Sequence, residues 1–393
     1  MKIYSAMEFD LLIVGAGFAG IVVAERLASQ CGLNSLIVEK RSHIGGNSYD
    51  HYDDHGVLIH TYGPHYFRTD SDHIKDYLGM FTEWRPVDYK IKSYTDGKFW
   101  SFPINLNTFE EMVGRESSKH EMEEWLINHR VPIEHPANSE EVIISQVGEE
   151  LYEKFFKGYT MKQWKRHPRQ LDASVCGRIP IRTSRDDRYL REKFQALPRA
   201  GYTQMFDRLL EACGNRVKLL LRTDYREVLN HVNFRHLVYT GAIDEFFNLK
   251  HGPLPYRSLR FERESFSPEQ LVHRTEVSGK AGFWQPAMQV NYPNEEDFTR
   301  IVEIKHATGQ ACTNTTIVRE YPDDYGLGKE PYYPIPAPDA ARIYQKYKEM
   351  ADATPNTSFI GRLATYRYYN MDQVVSMALI EAKRISRKLG ANN

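Results

Sequence analysis

Apolar and polar positions divide the chain into stretches of different period. Residues 9–14 form a nearly continuous apolar run that stops at Gly15, as in a strand buried on both faces. Residues 18–31 repeat apolar positions at helical spacing, and a second apolar run ends at Glu39. Strand, helix and strand in this order predict the opening unit of a parallel sheet. Residues 86–104 alternate around Asp96-Gly97, which predicts a hairpin. Residues 107–200 read as mostly helical. Asn107 or Thr108 is expected to cap one helix, with Glu110 and Glu111 in its first turn. Ser139 is expected to start another that runs through Phe156, with Val142, Ile143, Val147, Leu151 and Phe155 as its buried stripe. The period fails over 176–193, where Arg178, Arg182, Arg185, Arg188 and Arg191 face Asp186 and Asp187, so an exposed, mobile, cationic loop is predicted. Short β segments separated by turns between 215 and 320 predict an antiparallel sheet. The last stretch reads as a strand, a loop and an amphipathic helix whose apolar face carries Val374, Val375, Ala378, Leu379 and Ala382.

The turn between the first strand and helix is Gly15-Ala16-Gly17-Phe18-Ala19-Gly20, a dinucleotide-binding fingerprint. Gly15 permits the tight turn, Gly17 lets the backbone approach a diphosphate, and Gly20 lets helix and strand pack. The helix N-terminus then offers free N–H groups to the phosphates. Glu39 lies 19 residues beyond Gly20, where an acid accepts hydrogen bonds from a ribose. Arg41 and Gly45-Gly46 follow almost at once. That continuation favours FAD over NAD, because a second glycine pair lets the chain pass close to the flavin's diphosphate and ribitol.

A chain of 393 residues is too long for one core. The expected fold class is α/β: a discontinuous Rossmann-like FAD-binding domain (1–85, 200–246, 342–393) with two insertions. One is a helical bundle domain (105–199). The other is an antiparallel β-sheet domain built from the 86–104 hairpin and 247–341. The net charge of −1 gives no electrostatic reason to expect nucleic acid. The four cysteines, Cys31, Cys176, Cys213 and Cys312, are scattered, with no CxxC pair, so neither a zinc site nor a disulfide framework is expected. The first twelve residues lack a leader-like apolar region, and no run is long enough to span a membrane, so a cytoplasmic protein is expected.

Later segments carry a resemblance. GYTMKQW (158–164), RIPIR (178–182), FTRIVEIKH (298–306), EPYYP (330–334) and GRLATYRYYNMD (361–372), with the fingerprint and YGPHYF (62–67), together resemble bacterial UDP-galactopyranose mutases over nearly the whole chain. The resemblance implies that UDP-galactopyranose and UDP-galactofuranose interconvert with no net redox. N5 of reduced FAD would attack the sugar C1, expel UDP and form an adduct whose sugar ring opens and recloses. It implies a substrate pocket with uracil stacked on or near Trp164 and lined by Phe155, Tyr159 and Thr160. Asn291 would lie near the uridine. Arg178 on the loop and Arg300 on a strand would hold the diphosphate and stabilise departing UDP. Tyr189, Tyr333 and Tyr368 would donate to the phosphates. Trp164 as a core residue, and Arg300 as a solvated face, remain the plain alternatives.

For the cofactor, the resemblance implies contacts from Gly15, Gly17, Phe18, Gly20, Glu39, Lys40, Arg41, Gly46, Asn47 and Tyr62 in the first part of the chain. Thr240, Gly241, Gly361, Arg362, Asn370, Met371 and Gln373 would contribute from later parts. Arg362 would contact the FAD diphosphate, and the helix beginning near Asn370 would point its positive end at the flavin. His65 would lie against the isoalloxazine, or serve as a turn histidine after Gly63-Pro64. A homodimer is also implied.

The chain departs from the family at three places. Arg68 stands where a second histidine is common, Asn370 stands where many members carry Asp, and the 264–290 stretch is longer than in several relatives. An N-acetylated UDP-galactose therefore remains an alternative substrate. An oxidase or dehydrogenase of the amine-oxidase type, or a non-catalytic FAD scaffold, are the competing functions. The arginine pair separates the mutase from the oxidase, which needs an apolar cavity.

Overall fold

The structure is a computed structural model that describes residues 8–326 and 328–391. The expectation about a leader therefore falls partly on residues that lie outside the described ones. Five strands form a wholly parallel sheet in the order Val217–Leu220, Ser35–Val38, Glu8–Val14, Asn233–Tyr239, Thr357–Phe359. Leu11, Leu12 and Ile13 of the central strand are wholly buried. Leu11 and Ile13 pack in one apolar cluster with Ile21, Val22, Val375 and Ala378 of the first and last helices. Leu12 packs in another with Leu36, Tyr225 and Tyr239. Burial on both faces explains the near-continuous apolar run. Residues 217–220 and 233–239 pair parallel here, which corrects the antiparallel expectation for them. Short apolar segments look alike in either setting, and their partners are distant in sequence.

A seven-stranded sheet has the order Tyr333–Pro334, Tyr256–Phe266, Thr315–Asp324, Arg300–Val302, Gln289–Asn291, Ile91–Thr95, Lys98–Phe102. Its pairings are antiparallel except that Gln289–Asn291 runs parallel to Ile91–Thr95. The expected hairpin turns through Asp96 and Gly97, both with positive φ (52° and 74°), as a two-residue turn requires.

The helical part includes Leu106–Val113, Lys119–His129, Ser139–Tyr152 and Gly158–Trp164. The first is capped by Asn105 rather than Asn107 or Thr108, and Thr108 Oγ1 instead accepts from the Asn105 N–H at 3.1 Å. The third is capped by Asn138, with Ser139 as its first turn. Both caps are residues in extended conformation whose side chains accept from the first-turn N–H groups. The expected continuous helix from Ser139 breaks at Gly148 (φ 82°, ψ 175°). A Cβ there would lie 2.4 Å from the His129 carbonyl oxygen, so the preceding helix approaches too closely for any side chain. A π-helical turn, Glu153–Lys157, follows.

Residues 176–193 are mostly half-buried, which corrects the expected exposure. Several of the charges pair locally, while Arg178, Arg185 and Arg191 stay exposed. Arg188 pairs with Asp186 at 2.8 Å, Lys90 with Asp187 at 2.9 Å, and Arg182 donates to the Leu190 carbonyl at 3.1 Å. Phe194–Pro198 then enters a three-stranded sheet between Phe67–Thr69 and Trp84–Pro86.

Candidate active site

The glycines of the first turn meet their neighbours as backbone geometry demands. Gly15 has φ 103°, and a Cβ on it would sit 2.1 Å from Thr240 Oγ1. A Cβ on Gly20 would sit 2.0 Å from the Gly15 carbonyl oxygen, so this glycine serves packing. Gly17 faces Gly46, where a Cβ would lie 3.2 Å from the Gly17 Cα. These two glycines form a narrow, side-chain-free passage beside an N-terminus that no side chain caps. The passage opens into a long cleft whose wall also includes Glu39, Thr240, Gly361, Arg362 and Met371. Glu39 is fixed by two main-chain donors, Ala16 N–H and Arg41 N–H, each at 2.9 Å on a different oxygen. Each oxygen keeps a lone pair for a ribose hydroxyl. Phe18, Lys40, Asn47 and Gly241 also line the cleft, whereas Gly20, Tyr62, Asn370 and Gln373 are not among its lining residues. Tyr62 is engaged with His43 at 2.7 Å and lies 4.4 Å from the Arg41 guanidinium. Arg41 and Lys40 both pair with Glu330, at 2.8 and 3.3 Å, so a distant loop closes one side of the cleft. The narrow glycine passage, uncapped helix end and fixed carboxylate fit the diphosphate and ribose of a dinucleotide such as FAD. Tyr225 and Arg226 also enter the wall, and no motif in the sequence marked them.

His65 also lines the cleft. Its Nδ1 is 3.0 Å from the Gly63 carbonyl oxygen, which can only accept, so Nδ1 carries the proton and Nε2 is left as an acceptor. Burial pushes this imidazole down to about 3, with His60, Arg362 and Arg300 adding to the effect, so it is neutral. Two of the three departures noted in the sequence are direct partners. Arg68 donates to Asn370 Oδ1 at 2.8 Å and pairs with Glu192 at 3.1 Å. Gln373 accepts from the Asn370 N–H at 2.9 Å, and Met371 and Val374 bring this helix start to the cleft.

Arg362 joins the cleft to an aromatic and cationic cluster. It donates to the Tyr369 carbonyl at 2.6 Å, and its guanidinium lies 4.9 Å from the Tyr368 ring and 5.9 Å from that of Tyr333. Arg178 lies 4.8 Å from the Tyr368 ring. Trp164, 5 % exposed, stands 6.1 and 6.2 Å from the Tyr333 and Tyr368 rings. Arg300 pairs at 2.7 Å with Glu320, which is wholly buried. Burial alone raises the Tyr368 hydroxyl, but Arg178, Arg362 and Arg300 together outweigh it and bring it down to about 8. Tyr159 and Tyr89, near Arg300 as well, are instead pushed up by burial.

The structure thus brings Arg178, Arg300, Tyr333, Tyr368 and Trp164 together, with Tyr159 beside Arg300. Asn291 sits deeper and accepts from Gln289 at 2.8 Å, and Gln289 in turn accepts from Tyr89 at 2.5 Å. Tyr189 packs edge-on against Tyr89 at 5.5 Å. Phe155 and Thr160 lie in the core. Phe155 is held between Trp100 (5.8 Å) and Phe102 (5.9 Å), and the Thr160 hydroxyl is 3.6 Å from Cys176 Sγ. Glu320 and Gln289 escaped the sequence reading, because each acts through a partner on the same or an adjacent strand.

Comparison with known proteins agrees with this geometry. Residues 154–368 match the family model for UDP-galactopyranose mutase, and residues 13–81 match that for an NAD(P)-binding Rossmann-like domain. The chain is 35 % identical to a probable UDP-galactopyranose mutase of Klebsiella pneumoniae, over 94 % of this chain and 93 % of the relative. It is 32 % identical to a dTDP-fucopyranose mutase of Escherichia coli, over 94 % of this chain and 96 % of the relative. The crystal structure of a reduced UDP-galactopyranose mutase superposes with a TM-score of 0.74 at 16 % identity, covering 98 % of this chain and 95 % of that one.

Proposed function

Because the chain belongs to the UDP-galactopyranose mutase family, we propose that it interconverts UDP-galactopyranose and UDP-galactofuranose with FAD in the glycine-lined cleft. The observation that carries this reading is the placing of Arg178 and Arg362 over the Tyr368 ring, 4.8 and 4.9 Å away, with Arg300 near enough to act on the same hydroxyl, next to a cleft that fits a dinucleotide. An amine-oxidase site needs an apolar cavity, and this cluster is cationic.

Arg178 and Arg300 hold the substrate diphosphate by charge-assisted hydrogen bonds, each worth roughly 1.5–3 kcal/mol net. Their charge favours separation of UDP from the anomeric carbon, where negative charge accumulates on the leaving oxygen. Tyr368 and Tyr333 donate to the same phosphates, and Tyr368 does so strongly because its hydroxyl is already acidified. Trp164 walls the nucleoside end, and Asn291 offers its free amide N–H groups. Neutral His65 presents Nε2 as a hydrogen-bond acceptor at the flavin end of the cleft. Bound and reduced, FAD would supply a nucleophilic electron pair at N5, chemistry that needs no net oxidation. A homodimer and a cytoplasmic location belong to the same proposal; no helix among the described residues is long and apolar enough to cross a membrane.

The dTDP-fucopyranose mutase relative favours a second substrate reading, a 6-deoxy sugar on dTDP, through the same reaction. The test is to reduce the purified flavoprotein with dithionite and supply UDP-galactofuranose and dTDP-fucofuranose separately. Conversion of the first to the pyranose without net consumption of reductant supports the proposal. Turnover of the second alone reassigns the substrate, and steady consumption of an electron acceptor overturns the mutase.

A further inference from the structure

The GYTMKQW segment contains one charged residue without a task in the mechanism above, Lys162. It lies half-buried on the helix Gly158–Trp164, two residues before the tryptophan. Its ammonium donates to three main-chain carbonyls, those of Tyr292, Glu296 (2.8 Å) and Phe298 (3.1 Å). An ammonium has three donors and no acceptor, so its capacity is filled. No carboxylate lies in salt-bridge range of it among the described residues. The three carbonyls belong to one turn, residues 292–299, which links Gln289–Asn291 to Arg300–Val302. Asn291 and Arg300 are partners in register at the base of that turn. Lys162 therefore occupies the mouth of the hairpin that carries both the deep asparagine and the strand-borne arginine.

Further contacts hold the same turn, one from this helix and others from the π-helical turn before it and the strand Ile91–Thr95. A Cβ on Gly158 would lie 2.4 Å from Asn294 Oδ1 and 2.5 Å from the Pro293 carbonyl oxygen, so the helix start rests directly on the turn. The Asn294 amide donates to the Lys154 carbonyl at 3.0 Å and to Thr95 Oγ1 at 3.1 Å. The turn also carries Glu295, Glu296 and Asp297 close to Lys162. With Lys162 absent, the three carbonyls would lose their shared donor and need water instead.

We propose that Lys162 is a positioning residue that locks the 292–299 turn onto the helix bearing Tyr159 and Trp164, and so fixes where Arg300 meets the diphosphate. This rests on the reading of Arg300 given above. Three variants test it: Lys162→Met, which keeps the stem, Arg300→Lys, and the two combined. UDP affinity and turnover per bound flavin are measured for each beside the parent protein. Lys162→Met is expected to lower turnover per flavin about 10–100-fold, and adding it to Arg300→Lys is expected to lower it by no more than about threefold again. Lys162→Arg, which keeps a cation and several donors, is expected to recover part of the loss. A merely structural lysine would reduce the yield of folded flavoprotein and leave turnover per flavin unchanged, and a lysine acting apart from Arg300 would lower turnover but multiply in full with Arg300→Lys. Either result overturns the assignment of Lys162 while the function stands. A parent protein that neither binds UDP nor turns over contradicts the function itself. If Lys162→Met gives no folded flavoprotein, Lys162→Gln, which keeps two N–H donors without the charge, is read against the same outcomes.

Discussion

Arg300→Ala and Arg178→Ala should both nearly abolish mutase turnover, yet only the first should destabilise the protein. Arg300 sits 2.7 Å from a wholly buried Glu320, and one Glu320 oxygen already lacks a partner. Removing the guanidinium leaves an uncompensated buried carboxylate, a loss of about 3–5 kcal/mol. Arg178 retains an exposed surface, lies over Tyr368, and has no carboxylate in salt-bridge range among the described residues, so its removal strands no charge. An unfolding entropy of about 2.1 cal/mol/K per residue means that each kcal/mol moves the midpoint of a chain this long by about 1.2 °C. Arg300→Ala should therefore lower Tm by about 4–6 °C, while Arg178→Ala should stay within about 1 °C. Thermal unfolding of the flavin-loaded protein by circular dichroism measures this, alongside turnover. Adding Glu320→Gln to Arg300→Ala removes the stranded charge and should restore most of the lost Tm without restoring turnover. Equal destabilisation by both arginine variants, or no recovery from Glu320→Gln, refutes the argument.

Trp164→Ala should weaken UDP binding by roughly 5–150-fold, the range that losing about 1–3 kcal/mol of base stacking gives; unchanged affinity in a folded variant returns Trp164 to the core. Gly46→Val should give a folded protein without flavin, because a side chain there meets the Gly17 backbone at 3.2 Å on a residue with φ 55°, and a yellow variant would contradict the cleft assignment. The Tyr368 hydroxyl, held down to about 8, is neutral below that pH and anionic above it. Turnover should accordingly decline as pH rises through about 8, since a phenolate repels the diphosphate, and Tyr368→Phe should lack that limb. An identical alkaline decline in Tyr368→Phe assigns the titration to another group.

Parts of the fold that depend on one segment alone were legible in the sequence. The Leu11–Val14 run announces its strand because both faces are covered, and Asp96-Gly97 announces its turn because both residues need positive φ. The fingerprint glycines are similarly local, since Gly15 and Gly20 constrain each other within one turn. Features that depend on a distant partner stayed hidden. Gly148 breaks its helix because His129 of another helix presses on it. Residues 217–220 look like any edge strand until they find Ser35–Val38. In the site, family motifs pointed to Arg178, Arg300, Tyr333 and Tyr368, which the fold does gather. Phe155 and Thr160 lie in the core beneath the same pocket, and helical spacing could not separate the two settings. Glu320 was missed because its partnership with Arg300 arises from strand register. Lys162 was missed because carbonyl oxygens leave no trace in side-chain identity.

The central claim is that Arg178 and Arg300 together grip a nucleotide diphosphate beside a reduced flavin. The most direct measurement is a crystal structure of the dithionite-reduced protein soaked with UDP. Guanidinium nitrogens of both arginines should lie about 2.7–2.9 Å from diphosphate oxygens, with the uracil against Trp164. UDP bound away from this cluster, or bound here with Arg178 turned outward and Arg300 closed on Glu320 alone, would contradict it.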